Sequence, residues 1–236
     1  MSIATEILRL STAKANIKSA IIAKGVSVPN EAKLDTYNTY VSQISGGGGG
    51  GGQQWSPHSD WIDISTVNDN EINLLVSDGG VGIAFSVTTA SGTYSIDWGD
   101  GIIETARASG ITYSHQYTIG SGQSVNSGQY TCFKIRIYGA SSNITRFQMQ
   151  KVPGYNNSQY CGLLWAVFGT QNITTYANTF YQSGIECREL QACTIPSLNN
   201  CSSTSSMFSS CFALSSITLP TSWGNVTNCS TMFSSC

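Results

Sequence analysis

The sequence carries little charge. Only 10% of its 236 residues are Asp, Glu, Lys or Arg, whereas an average soluble domain has about 25%. Hydrophobic residues nevertheless make up 40% of the chain, and disordered chains combine few apolar residues with many charges. The composition therefore predicts a folded protein in which Ser, Thr, Asn, Gln and 24 Gly take the place of charged residues.

Long apolar runs and basic clusters are also missing. No uncharged stretch is continuously apolar for the roughly 18 residues that suggest a transmembrane helix, so we expect no membrane insertion. The 11 Lys and Arg are spread thinly, whereas nucleic-acid binders carry a basic patch, so we expect no nucleic-acid partner. The first residues lack the pattern of a Sec-type signal peptide, which predicts synthesis in a cytoplasm.

Residues 1–45 are predicted to form short helices. Apolar residues recur there at spacings of three, four and seven, which is typical of an amphipathic helix. We name them the anchoring stripe, which comprises Ile3, Ile7, Leu10, Ile17 and Ile21. Gly25 and Pro29 predict the end of the first helix, and Asn30 is expected to cap a second. The second helix would carry Leu34, Tyr37, Val41 and Ile44 on one face.

Two helices of this size bury too little apolar surface to be stable alone. They therefore form either a hairpin packed on its own domain or a segment that anchors and oligomerises the protein, and the second reading is favoured. Residues 46–60 follow as a linker that begins with seven glycines, Gly46 to Gly52. Such a run behaves as a flexible coil, so it predicts a tether.

Residues 61–140 are predicted to form an antiparallel β-sandwich. Short runs at 72–76, 82–87, 94–98 and 133–138 alternate in hydrophobicity and are separated by turn residues. Phe133, Ile135 and Ile137 would share one face, opposite Lys134 and Arg136. The segment Asp97-Trp-Gly-Asp-Gly101 predicts a tight turn, because glycine tolerates positive φ.

This segment resembles a polycystic-kidney-disease (PKD) domain. The resemblance is carried by Tyr94-Ser-Ile-Asp-Trp-Gly-Asp-Gly101 and the later His115-Gln-Tyr117. It implies an immunoglobulin-like sandwich that serves as a spacer or binding module. The Asp-Trp-Gly-Asp-Gly form departs from the aromatic-Gly-Asp-Gly form of that family, so the segment is described as PKD-like.

Residues 141–236 contain an internal repeat. The segments 172–180, 200–208 and 225–233 align, and Met207-Phe-Ser-Ser-Cys211 recurs as Met232-Phe-Ser-Ser-Cys236. A period of 24–28 residues lies in the leucine-rich-repeat range, and each unit would direct residues such as Leu214, Ile217 and Leu219 inward. Because solenoids need a polar cap and the sequence ends within a repeat, we expect further repeats beyond Cys236.

The repeat pattern resembles the BspA-type leucine-rich repeat of bacterial and phage surface proteins. The order of segments, with short helices, a glycine run, a sandwich and these repeats, resembles tailed-bacteriophage structural proteins of the fibre or adhesin type. Residues 17–29 also resemble segments of phage tail proteins. These resemblances imply a virion protein made in the host cytoplasm, with its N-terminal segment held by other virion proteins.

The candidate chemical groups are expected to be structural. Cys187, Cys211 and Cys236 recur at one repeat position, and Cys201 and Cys229 are expected to share another, so burial is favoured over disulfide or metal roles. Asp97, Asp100 and Glu104 could form an acid–base pair or a calcium site, but Asp in tight turns usually bonds to local backbone. The residues assigned structural roles are Asp97, Trp98, Gly99, Asp100, Gly101, His115, Tyr117, Cys187, Cys201, Cys211, Cys229 and Cys236.

We therefore predict no catalytic residue, no metal site and no cofactor, and a protein that is not an enzyme. The expected role is a structural subunit of a phage fibre whose repeat surface attaches to a host glycan or protein. Multivalency amplifies weak contacts, which favours a homo-oligomer, with a trimer preferred. The alternatives are a bacterial cell-surface adhesin and the accessory modules of a glycan-active enzyme.

Overall fold

The chain forms two compact units, Met1–Trp55 and Ser56–Cys236. A computed structural model describes residues 3–23, 26–33, 36–41, 57, 61–77, 82–118, 122–125, 130–140, 143–153, 161–169, 172–182 and 185–236. The predicted linker, 46–60, lies outside the described residues apart from Pro57. Neither of the helices in the described part of the chain has the length and apolar character required to cross a bilayer.

The first unit contains helix α1 (Ile3–Ile22) and helix α2 (Tyr37–Val41). Its buried cluster joins Ile21 at the end of α1 to Val26, Val28 and Ala32 in the connection and to Tyr37 in α2. The connection is thus folded back on α1, as the hairpin reading of residues 1–45 expects.

Two details of the first unit differ from expectation. Asn30 does not cap α2, because its Oδ1 accepts a hydrogen bond from Lys18 Nζ at 2.6 Å and α2 begins only at Tyr37. The anchoring stripe is not uniformly open, since Ile21 is buried whereas Ile17 is 43% exposed. The side chains of Ile3, Ile7 and Leu10 and the residues Gly25, Leu34 and Ile44 lie outside the described part.

The second unit is mostly β and is consistent with a β-sandwich. Its strands are β1 (Ile72–Ser77), β2 (Ile83–Thr89), β3 (Thr93–Asp97), β4 (Ile103–Ala108), β5 (Thr112–His115), β6 (Gln123–Val125), β7 (Tyr130–Tyr138), β8 (Ile144–Met149), β9 (Leu163–Phe168), β10 (Tyr181–Gln182), β11 (Ile185–Glu186), β12 (Ala192–Thr194) and β13 (Ser216–Thr218). The large sheet has the order β13-β12-β9-β1-β7-β3-β4, with β6 also paired to β7, and a second sheet has the order β5-β2-β8.

Alternation of side chains produces the sandwich core. Phe133, Ile135 and Ile137 are buried on one face of β7, which confirms the predicted pattern. Leu74 lies opposite Ile135 on one side and opposite Ala166 on the other, so three adjacent strands supply the same apolar layer. Burial of this layer removes apolar surface from water and is the main stabilising term of such a fold.

The predicted boundary between 140 and 141 falls inside the second unit. On its far side, β8 pairs antiparallel with β2 and β9 pairs antiparallel with β1. The sequence beyond residue 140 therefore completes both sheets of the sandwich before the repeats begin.

Successive repeats stack in parallel beside β9. Ala192 of β12 pairs with Trp165 of β9 and with Ser216 of β13. Backbone N–H groups of 174–180 donate to 145 and 203–207, and those of 202–210 donate to 174 and 228–234. We call residues 163–236 the repeat stack, in which each repeat forms hydrogen bonds with the one before it.

A column of phenylalanines runs through the repeat stack. Phe180 and Phe208 stack with ring centroids 5.4 Å apart, and Phe208 and Phe233 stack at 5.5 Å. The first two rings are fully buried, whereas Phe233 is 46% exposed. The central ring therefore contributes packing on both faces.

Replacement of the central ring tests this packing. Phe208→Ala removes a buried ring between two others, so we expect a loss of about 3–5 kcal/mol in the free energy of unfolding. Phe233→Ala is the matched control, and because its ring is half-exposed we expect a loss of about 1 kcal/mol. Urea denaturation followed by circular dichroism measures both losses, and equal losses would contradict the proposed column.

Candidate functional site

The turn at 97–101 is stabilised by its own carboxylates. Asp97 Oδ1 accepts a hydrogen bond from the Gly99 amide at 2.9 Å, and Asp100 Oδ1 accepts one from the Ile102 amide at 3.1 Å. The Trp98 amide donates to the Ile102 carbonyl at 3.0 Å. These contacts agree with the expected structural role of the two aspartates, since aspartates in turns usually accept hydrogen bonds from backbone amides two residues further along the chain.

His115 and Tyr117 attach β5 and the segment after it to this turn. His115 Nε2 lies 2.7 Å from Asp100 Oδ2, and the imidazole stacks on Trp98 with centroids 4.8 Å apart. Tyr117 donates its hydroxyl to the Trp98 carbonyl at 2.8 Å and stacks on Phe133 at 3.8 Å. We call residues 97–101 with His115 and Tyr117 the turn cluster, in which His115 packs on the turn.

The electrostatics of the turn cluster favour a structural role. Burial opposes ionisation of Asp100, but hydrogen bonds from His115 and the Ile102 amide outweigh it and lower the pKa of the carboxyl. Burial raises the pKa of the Tyr117 hydroxyl, which keeps it a hydrogen-bond donor. Within the described residues, no group of three or more His, Cys, Asp or Glu is placed to hold a metal ion.

The cysteines of the repeat stack divide into buried and exposed thiols. Cys187, Cys201 and Cys211 are buried, as expected, whereas Cys229 and Cys236 are exposed. Burial raises the pKa of the Cys187 and Cys211 thiols, and a protonated thiol is a poor nucleophile.

The expected common position of Cys201 and Cys229 is wrong. The Thr227 amide donates to the Ser202 carbonyl, so the repeats are in the register that pairs 202 with 227. This register places Cys201 beside Val226, and Cys229 takes the position of Thr204. A frame aligned on residues 200–208 and 225–233 gives the same result, so the sequence itself contained the signal.

Cys161 was missed in the sequence, and it lies beside the repeat cysteines. Its Sγ is 3.1 Å from Cys187 Sγ, and both side chains are buried. The separation of 26 residues between Cys161 and Cys187 lies within the repeat period of 24–28. That spacing could have extended the series Cys187, Cys211 and Cys236 by one member.

Polar side chains form columns on the outside of the repeat stack. Asn200 Nδ2 donates to Asn172 Oδ1 at 2.8 Å, and Asn225 Nδ2 donates to the Asn199 carbonyl at 3.3 Å. In a neighbouring column, Ser202 Oγ donates to the Thr174 carbonyl at 3.0 Å.

The column that contains Ser202 consists of hydroxyl side chains and extends over three repeats, and we call it the hydroxyl column. Thr174 Oγ1 donates to the Thr145 carbonyl at 3.4 Å, and Thr227 Oγ1 donates to the Ser202 carbonyl at 3.3 Å. We call Thr174, Ser202 and Thr227, with Asn172, Asn200 and Asn225, the outer columns, and all six residues are exposed. No charged residue occurs from Leu190 to Cys236, so most of this surface is neutral.

The hydrogen bonds within the outer columns determine which donors and acceptors remain available to a partner. A hydroxyl has one proton to donate and two acceptor lone pairs. Because Thr174, Ser202 and Thr227 donate to backbone carbonyls, their lone pairs are what they offer to a partner. The hydroxyls of the outer columns are therefore suited to a partner that supplies hydrogen-bond donors, while the amides of Asn172, Asn200 and Asn225 can also donate to it.

Comparisons of the chain with protein families, curated proteins and solved structures find no match. The functional argument therefore starts from the geometry of the turn cluster and the outer columns. The side chains of the turn cluster bond to one another and to nearby backbone, whereas the outer columns face solvent.

Two glycines of the turn cluster give a matched test of its packing. Gly99 and Gly101 both have positive φ, at +83° and +93°, but a Cβ on Gly99 would lie 2.4 Å from the Lys134 carbonyl oxygen, whereas one on Gly101 would meet nothing within 4 Å. We expect Gly101→Ala to cost about 1–2 kcal/mol of unfolding free energy. Gly99→Ala adds a backbone clash and should cost about 2–5 kcal/mol, and equal losses in chemical denaturation would contradict the close approach.

Acid should weaken the turn cluster through Asp100. Because the pKa of Asp100 is lowered in the folded state, its stabilising contribution is present above the unfolded pKa of about 3.9 and is lost as the pH falls through the folded pKa. The wild type should therefore be more stable than Asp100→Asn near neutral pH, and the difference should shrink below about pH 3. Urea titrations across this range measure the difference, and one that stays constant with pH would refute the role.

Proposed function

We propose that the chain is a non-enzymatic structural subunit of a tailed-phage virion, of the fibre or adhesin type, that attaches to host cells through the outer columns. The observation that carries the proposal is the exposed, uncharged and in-register set of Asn, Ser and Thr side chains on three successive repeats. A repeated surface of this kind offers the same contacts several times along one chain, which suits a repetitive partner.

The fold supports this proposal at a finer level. We interpret residues 61–140 as the main part of a PKD-like spacer and the repeat stack as a BspA-type leucine-rich-repeat solenoid. Parallel pairing of β9, β12 and β13 and the continuous column Phe180, Phe208 and Phe233 support the second interpretation, because stacked repeats of a solenoid share one core.

The chemistry of the outer columns favours a neutral glycan as the partner. Sugar hydroxyls are donors that complement the lone pairs of Thr174, Ser202 and Thr227, and sugar units recur along a polysaccharide. Single hydrogen bonds add only about 0.5–1.5 kcal/mol each, so attachment needs several repeats and several copies. We propose that the anchoring stripe supplies these copies as a homo-oligomer, with a trimer preferred, and holds them to other virion proteins.

A glycan array tests attachment. The biotinylated chain, made multivalent on streptavidin, should bind neutral glycans, and its binding should change little between about 0.05 and 0.5 M sodium chloride because no ion pair is involved. A Ser202→Arg, Thr227→Arg double variant removes two acceptors and adds two long cations to the hydroxyl column, so it should lose at least about tenfold in apparent affinity.

Ser215→Arg is the matched control. Ser215 is also exposed and also donates inward, to the Gln191 carbonyl at 3.1 Å, but it lies beside β13 rather than in the outer columns. The Ser215→Arg variant should retain glycan binding. An equal loss of apparent affinity in the double variant and in Ser215→Arg, or binding that disappears at high salt, would contradict attachment through the outer columns.

Localisation tests the virion assignment separately. Particles purified from the producing culture by density gradient should contain the chain, detected by mass spectrometry of its peptides. Recovery only with the cell envelope would favour the bacterial adhesin instead, and recovery with a glycan-degrading activity would favour the accessory module.

A further inference from the structure

Two buried thiols meet where the sandwich passes into the repeat stack. Cys161 Sγ lies 3.1 Å from Cys187 Sγ, and their side chains are 6% and 0% exposed. The Cys201 thiol, by contrast, donates to the Ser203 carbonyl. The contact joins residues 26 positions apart, so it is a tertiary contact and not a consequence of local chain geometry.

The backbone on both sides of this pair is held in place. Beside Cys161, the Gly162 carbonyl accepts a hydrogen bond from the Ser77 amide at 2.7 Å. Gly162 has φ +60°, and a Cβ there would lie 2.7 Å from the Ser77 carbonyl oxygen. Around Cys187, its carbonyl accepts a bond from the Leu190 amide at 3.1 Å. Backbone hydrogen bonds next to each cysteine therefore hold the two sulfurs close to each other.

We propose that Cys161 and Cys187 form a disulfide when the protein meets a small-molecule disulfide such as glutathione disulfide. Cys161, the less buried of the two, gives up its proton and its sulfur attacks the oxidant, breaking the S–S bond and releasing one glutathione, which takes up that proton. Cys187 then gives up its proton, slowly because burial raises the pKa of its thiol, and its sulfur attacks the mixed disulfide, forming the Cys161–Cys187 bond and releasing the second glutathione. Two protons and two electrons leave the protein cysteines and appear on the two glutathione molecules.

The bond closes a loop that spans β9 and the first repeat. A cross-link over 26 residues limits the unfolded chain, and disulfides over loops of this size stabilise small domains. The bond also links the residues just before β9 to the turn that precedes Leu190. This is where the sandwich ends and the repeats begin. This inference does not depend on the attachment role, since it concerns only the redox environment.

The experiment compares reduced and oxidised protein. The full chain is incubated with glutathione disulfide, and intact-mass measurement should show the loss of two hydrogen atoms, with any glutathione bound to the exposed Cys229 and Cys236 counted separately by its added mass. Chymotrypsin cuts after Phe168 and Phe180, between the two cysteines, so non-reducing peptide mapping should find the two fragments joined. The midpoint of thermal unfolding should rise by about 5–10 °C and return on reduction.

Two variants separate this pair from other thiols. Cys161→Ala should show no rise on oxidation relative to its own reduced form, although truncating this core side chain itself lowers the unfolding temperature. Cys201→Ala, a buried cysteine bonded to backbone, should keep both the cross-link and the rise. Eight thiols that stay free after oxidation, a link between Cys187 and Cys211, or an unchanged rise in Cys161→Ala would each overturn the assignment, and the wild-type map decides even where a variant fails to fold.

Discussion

Strand β9 pairs on both of its edges, and the architecture of the second unit depends on this. It runs antiparallel to β1 of the sandwich and parallel to β12, which in turn runs parallel to β13. A single repeat cannot bury its apolar side and requires a neighbour to stack on. β9 supplies that neighbour, so the sheet of the sandwich serves as the base on which the repeats are built.

The shared strand also unites the cores. One buried cluster extends from Ile72 of β1 through Phe168 of β9 to Phe208 and Met232 in the repeat stack. Removing a side chain from this cluster should therefore destabilise both the sandwich and the repeat stack, because they pack against a common apolar layer. A separate linker between sandwich and repeats is absent from the described residues, and the turn cluster and the outer columns belong to one compact unit.

Local patterns in the sequence predicted the local structure well. The period-two runs predicted strands β1, β2, β3 and β7 and the buried face of β7. The Asp-Trp-Gly-Asp-Gly segment predicted a turn held by its aspartates, because both kinds of feature depend on residues close together in the chain. The pairing of β9 with β1 was not predicted, since it joins segments about 90 residues apart and no period within either one specifies its partner. For the same reason the spacing of Cys161 from Cys187 was visible, but their contact was not. Asn30 was misassigned because its side chain bonds to Lys18 across a tertiary contact, which outweighs a capping preference.

The absence of charge fits the way in which the outer columns are held. Ser202 and Thr227 donate their hydroxyls to a carbonyl of the preceding repeat, and Thr174 donates to the Thr145 carbonyl in β8. The side chains that join the repeats to one another and to the sandwich therefore also form the surface. If the same charge recurred at this position in every repeat, like charges would face each other along the column and repel. Neutral polar residues avoid this repulsion, and they leave contacts that are individually weak. The proposed attachment therefore depends on repetition, first along one stack and then across several copies.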